Sequence, residues 1–170
     1  MSNIILIGFM GVGKSEIGQK LAEQLGMNFI DTDDIIEKTE KTKISKIFEK
    51  HGEKYFRNLE TEVLKTLSDY DNFVISTGGG MVLRQENVKM LKALGPLVLL
   101  GAKPEVIYER VKHLKTRPLL NVEDPKKRIV EILNYRNPIY NSVADFTVDT
   151  GEMKVDEAVK SIVDFIKAKK

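Results

Sequence analysis

The sequence predicts an α/β fold, with a parallel sheet of five strands covered by helices on both faces. Three observations lead there. Short apolar runs alternate with amphipathic stretches along the whole chain. Most of the strand-like runs are continuously apolar rather than alternating, as strands buried on both faces must be. The first of them passes directly into a glycine loop and a helix, in "NIILIGFMGVGKSEIGQKLAEQLG".

The elements follow in order. "NIILIG" is β-rich and apolar, so it reads as a buried strand. Ile17, Leu21 and Leu25 then recur at helical spacing, and Gly26 stops that helix. "MNFID" is a second strand, and "TDDIIEKTEK" opens a short helix with acidic residues at its start. "KISKIFEKHG" is another short helix closed by Gly52. "EKYFRNLETEVLKTLSDY" is a longer one, with Phe56, Leu59, Val63 and Leu67 on one face. "NFVIS" is the third strand, "QENVKMLKAL" a helix and "GPLVLLGA" the fourth strand. "PEVIYERVKHL" is a helix with Pro104 in its first turn, and "KTRPLLNVEDP" a loop. "PKKRIVEILNYRNPIYNSV" is a helix that Pro138 must kink or bring to its last turns. "DFTVDT" is the fifth strand, and "KVDEAVKSIVDFIKAKK" closes the chain as a helix.

At 170 residues the chain is the size of one domain. No repeat, linker or domain boundary interrupts it. A net charge of +2 gives no general pull toward nucleic acid or an anionic membrane. Cysteine is absent, which excludes disulfides, thiolate zinc sites and a cysteine nucleophile. No stretch approaches the roughly 18 apolar residues that span a bilayer, and the start lacks the pattern of a signal peptide. A cytoplasmic protein is therefore expected. Two insertions, Asp33 to Gly52 and Lys115 to Pro125, are too short for domains and are candidates for a substrate-binding segment and a lid.

"GFMGVGKS" matches G-x-x-x-x-G-K-[ST] at Gly8, Gly13, Lys14 and Ser15, with an extra glycine at Gly11. Phosphates need several backbone N–H groups converging on them, so the loop must turn tightly. The following helix N-terminus adds donors and a positive dipole end. Lys14 can bridge the terminal phosphates and Ser15 can ligate Mg2+. Guanine-nucleotide switches are excluded, because their N/T-K-x-D and D-x-x-G motifs do not occur. The strands "NFVIS" and "PLVLLG" also lack the terminal aspartate of large mechanical ATPases. A compact small-molecule kinase remains.

Four further clusters are expected where loops leave the carboxyl ends of strands, the usual place for ligands in such sheets. Asp31 and Asp33, in "DTD", can accept hydrogen bonds from ligand hydroxyls or hold a magnesium water. A helix N-cap at Asp33 or Asp34 explains the pattern equally well. Arg57 and Glu60, in "FRNLE", share a helix face, and taken alone they read more simply as an ordinary surface ion pair. Gly78, Gly79 and Gly80, after Thr77, let a backbone approach a ligand closely. Arg136, in "NYRNPIY" with Pro138 and Tyr140, has a planar fork suited to a carboxylate, or is a surface cation. Together the arginines, aspartates and glycines describe a small polyhydroxylated carboxylic acid.

In this order and spacing, "GFMGVGKS", "DTD", "IFEKHGEKYFRNLE", "STGGG", "RPLL" and "YRNPIY" resemble shikimate kinase over nearly the whole chain. The resemblance implies transfer of the γ-phosphoryl group of ATP to the 3-hydroxyl of shikimate, in chorismate and aromatic amino acid biosynthesis. It implies a three-layer P-loop kinase fold with strand order 2-3-1-4-5, similar to nucleoside monophosphate kinases. One domain would span 1–170, with a shikimate-binding segment at about 33–60 and a lid at about 113–125. The ATP-binding residues implied are Gly11, Val12, Gly13, Lys14, Ser15, Glu16, Arg110 and Arg117. Arg110 would pack on adenine and Arg117 would close over the phosphates. Those for shikimate are Asp33, Arg57, Glu60, Gly78, Gly79, Gly80 and Arg136, with Asp33 as hydroxyl acceptor or base. Lys14, Asp33 and Arg117 would be catalytic. Ser15 would ligate Mg2+, and Asp31 would hold it through water.

The chain departs from the family pattern at Lys41 and Lys43, where a glycine and a small polar residue are expected. The adenine loop near "DTGEMK" is weakly patterned. The partners implied are ATP and shikimate, with no nucleic acid, no membrane and a monomeric state. The alternatives are a kinase of another polyhydroxy acid such as gluconate, or a nucleotide-binding module without catalysis.

Overall fold

The structure is a computed structural model that describes residues 2–114 and 120–169. Its centre is a strand of four apolar residues, β1 (Ile4–Ile7), every one of them buried. Such a strand needs cover on both faces, and the chain supplies it. The sheet also contains β2 (Asn28–Asp31), β3 (Phe73–Ser76), β4 (Leu97–Gly101) and β5 (Phe146–Asp149). Their order is β2-β3-β1-β4-β5 and every pairing is parallel. Ile5 sits in register with Ile75 on one side and Leu97 on the other. Each fully buried Ile or Leu here contributes about 1.5–3 kcal/mol. The two edge strands differ: β2 is nowhere fully buried, and β5 buries only Val148. Continuous apolarity therefore belongs to the three inner strands, where both faces are covered.

Helices α1 (Lys14–Leu25), α2 (Thr32–Glu40), α3 (Ile44–Thr66), α4 (Gln85–Leu94), α5 (Pro104–Val111), α6 (Pro125–Val143) and α7 (Val155–Ala168) pack around it. Gly26 ends α1 in the left-handed conformation (φ 64°), as its position predicts. The two helices expected on either side of Gly52 are one element, α3, broken by that residue's non-helical backbone (φ 83°, ψ 177°). The α2–α3 turn forms without the glycine that the family pattern expects. Lys41 itself takes the left-handed conformation (φ 57°, ψ 32°). Pro138 does not end α6, which continues to Val143. A short 3-10 turn, Met81–Leu83, follows the triple glycine and is a feature the periodicity did not predict. Among the described residues no helix is long and apolar enough to cross a membrane.

Because all five strands are parallel, the segments leaving β1, β2 and β3 emerge at one edge of the sheet. These are the glycine loop, the Asp31–Asp33 turn and the triple glycine, gathered where open α/β sheets bind ligands.

Candidate active site

The phosphate loop is a backbone structure. Gly8, Gly11 and Gly13 all have positive φ (141°, 78° and 98°), which ordinary residues avoid. Its side chains secure that path. Val12 is buried in the core and does not line the cleft. Lys14 Nζ reaches back and donates to the carbonyls of Gly8 (2.6 Å) and Phe9 (2.9 Å). Glu16 is exposed in the first turn of α1 and lines the cleft.

Ser15 Oγ donates to Asp31 Oδ2 at 3.0 Å, joining the end of β2 to the start of α1. The other Asp31 oxygen accepts from the backbone N–H of Asp33 at 2.8 Å and caps α2. The helix cap is therefore Asp31, not Asp33 or Asp34, and Asp33 takes its place on the cleft wall. Asp34 lines the mouth. Its pKa is raised by partial burial, then by the neighbouring Asp31 and Glu37 carboxylates.

The acceptor side is built from buried charge. Arg57 and Glu60 meet at 2.6 Å with relative exposures of 8% and 0%, so the surface ion pair is not what forms. Arg57 also reaches Glu53 at 3.2 Å. Burial alone would lower the Arg57 pKa. Glu60 and then Glu53 outweigh it, and the guanidinium stays charged. Burial pushes the Glu60 carboxyl up, against the opposing charges of Arg57, Arg136 and Arg84. Among the described residues Arg57 Nε and Glu60 Oε2 have no hydrogen-bond partner.

The triple glycine is packed against this pair. A Cβ at Gly78 would lie 2.7 Å from Glu60 Oε2 and 2.9 Å from Asp33 Oδ1, and one at Gly80 would collide with the Arg57 guanidinium. Tyr140 donates its hydroxyl to the Gly79 carbonyl at 2.5 Å, and burial raises its pKa. Arg136, 4% exposed, lies over the Phe9 ring at 5.9 Å and makes no ion pair with a described residue. Its charge bears on Glu60 and Tyr140, and its fork at the cleft wall is suited to an anionic ligand.

Both halves open into one cleft of about 560 Å³. Lys14, Ser15, Asp31, Asp33, Arg57, Gly78, Gly79, Gly80 and Arg136 all line it, across a separation of over a hundred residues in sequence. A phosphate cradle thus faces two arginines and a glycine wall in one space.

The family model for shikimate kinase matches residues 10–167. The chain belongs to the shikimate kinase family. It is 47% identical to a shikimate kinase of Caldanaerobacter subterraneus subsp. tengcongensis, over 96% of this chain and 95% of the relative. It is 48% identical to a shikimate kinase of Pelotomaculum thermopropionicum, over 98% of this chain and 96% of the relative. Among solved structures, shikimate kinase from Acinetobacter baumannii in complex with shikimate superposes with a TM-score of 0.96 at 38% identity, covering 100% of this chain and 95% of that one. The gluconate alternative is not favoured by these relatives.

Arg110 holds the loop rather than lining the cavity: its guanidinium donates to the Gly11 carbonyl at 3.1 Å and to the Thr150 hydroxyl and carbonyl at 3.2 and 2.8 Å. Arg117 lies in residues 115–119 of the expected lid, outside the described residues. Conversely, Met10, Phe48, Glu37 and Ser45 line the cleft and were not singled out from the sequence, while Phe56 and Lys43, also in its lining, read there only as a helix-face residue and a departure from the family pattern. Phe48 and Phe56 pack at 4.9 Å between ring centroids, and they carried only the ordinary signal of an amphipathic helix.

For a divalent metal the donors are few. Ser15 Oγ and the Asp31 carboxylate are hard oxygen ligands at the loop, and no cluster of three or more His, Cys, Asp or Glu exists among the described residues. That sparse set fits Mg2+, which keeps waters and takes phosphate oxygens instead of a protein cage.

Proposed function

We propose that this chain transfers the γ-phosphoryl group of ATP to the 3-hydroxyl of shikimate, giving shikimate 3-phosphate and ADP. The observation that carries the reading is the pair Arg57 and Arg136, buried beside the triple glycine and facing the phosphate loop across one cleft. Their forks suit the carboxylate of the acid. The backbone of Gly78, Gly79 and Gly80 lines the same wall, and Glu60 orients Arg57. The segment at about 33–60 would be the acceptor-binding part of a single domain.

In the transfer, a bond forms between the shikimate hydroxyl oxygen and the γ-phosphorus. The bond to the β,γ-bridging oxygen breaks, and ADP departs with its electron pair. Asp33, on the cleft wall, orients the hydroxyl and can accept its proton. In a loose transition state orientation can suffice. Backbone N–H groups of Gly11, Val12 and Gly13 cradle the phosphates, and Lys14 moves from the loop carbonyls to the transferring group. Ser15 and Asp31 would hold Mg2+, which neutralises phosphate charge when bound. Arg117, on the expected lid, adds positive charge and closes the site to water, which competes with the acceptor as a nucleophile. The reading carries a cytoplasmic location.

A coupled ADP-release assay with shikimate and, in parallel, gluconate tests it. ADP release should depend on shikimate and be negligible with gluconate. Equal turnover of both, or ATP binding with no transfer to either, would overturn the substrate assignment.

A further inference from the structure

Behind the clamp lies a buried polar network that no step above uses. Thr61 is one helical turn beyond Arg57 on α3 and is 5% exposed, and Asn87 on α4 is 1% exposed. The Thr61 hydroxyl has one proton. It lies 2.8 Å from Asn87 Oδ1 and 3.2 Å from the Arg57 carbonyl, and accepts from Arg84 Nη1 at 3.2 Å. Asn87 Nδ2 donates in the opposite direction, to the Met81 carbonyl at 2.9 Å. With one end facing a hydroxyl donor and the other a carbonyl acceptor, the amide can point only one way.

Met81 begins the 3-10 turn directly after Gly80. Gly80 is the residue whose missing Cβ lets the Arg57 guanidinium lie flush against the backbone. The turn closes through its own hydrogen bonds, Met81 N–H to Gly78 carbonyl and Leu83 N–H to Gly80 carbonyl, both 3.1 Å. Asn87 therefore splints the turn to α4, and Thr61 ties that splint to the helix carrying Arg57 and Glu60. Arg84 completes the network, and its charge also bears on Glu60.

We propose that Thr61 and Asn87 are positioning residues that hold the glycine wall against the Arg57 guanidinium and so set affinity for the acid substrate without touching it. This rests on the reading of Arg57 and Arg136 as its carboxylate clamp. The spacing between wall and guanidinium is fixed at one end by Met81 and at the other by Arg57, and this network bridges the two. Neither residue contacts the phosphate loop, so ATP binding is outside its reach.

The test measures KM for each substrate separately in the full chain, alongside thermal melting. Thr61→Val removes the hydroxyl and keeps the shape, and Thr61→Ser keeps the hydroxyl. Asn87→Leu keeps the volume and removes both the acceptor toward Thr61 and the donor toward Met81 without adding charge. Thr61→Val should raise the shikimate KM by about threefold to tenfold, the scale of one neutral hydrogen bond, and Asn87→Leu by at least as much. The ATP KM should stay within about twofold, and Thr61→Ser should behave close to wild type. An unchanged shikimate KM, a parallel rise in both KM values, or a Thr61→Ser as impaired as Thr61→Val would overturn the proposal. Failure of both variants to fold would assign the network to the core and overturn it too. Arg136→Lys runs as the reference. If it leaves the shikimate KM alone, the clamp reading fails and takes this proposal with it. If it raises that KM while Thr61→Val does not, only the positioning role is lost.

Discussion

The two halves of the cleft are made of different material. The donor half is backbone: three glycines in positive φ, a helix N-terminus, and side chains such as Ser15 and Glu16 that remain exposed. The acceptor half is buried charge, Arg57, Glu60 and Arg136, walled by Gly78 and Gly80, where a Cβ would crowd Glu60 and Arg57. A site of backbone amides tolerates side-chain change except where one group carries the charge. A site of desolvated charges is bound into the core, so its recognition and its stability share the same residues.

The comparison can be broken at each half. The largest effect should be on the donor side. Lys14→Met should lower kcat by about a hundredfold to a thousandfold, the range for losing one electrostatic stabiliser. Its melting temperature should stay near wild type, because Lys14 is only half-buried at the wall of the cleft. A folded variant with normal turnover would remove Lys14 from the chemistry. On the acceptor side the cost should appear as stability. Glu60→Ala leaves Arg57 buried with only Glu53 as partner, and should cost about 3–5 kcal/mol in urea unfolding. A loss below about 1 kcal/mol would mean the pair behaves as a surface one.

The smallest effect sharpens the boundary between the halves. Lys41→Gly relieves a left-handed residue at the turn that carries the acceptor segment, and should stabilise the chain by about 1 kcal/mol. A destabilised variant would mean that Lys41 makes compensating contacts.

This difference in material also decides what could be read from sequence. The phosphate loop was legible because its chemistry is local: Gly8, Gly13, Lys14 and Ser15 lie within one strand-to-helix turn. The inner strands were legible because burial on both faces leaves a continuous apolar run. Arg57 and Glu60 were visible as a pair, but their spacing is that of any surface ion pair. Only burial, set by elements distant in sequence, separates the two. Asp31 as the cap of α2 was hidden for a related reason, since three aspartates within four residues compete for one backbone N–H and tertiary contact with Ser15 chooses among them. The Thr61–Asn87 bond spans 26 residues and two helices, and no periodicity marks it.

The division of labour is the central claim, and Arg136→Lys tests it most directly. Calorimetric titration of the folded variant with shikimate and with ATP should show shikimate affinity down by about tenfold, since a point charge replaces a bidentate fork. ATP affinity should be unchanged. Equal weakening of both ligands would contradict the account, because Arg136 would then belong to the whole cleft and not to the acid.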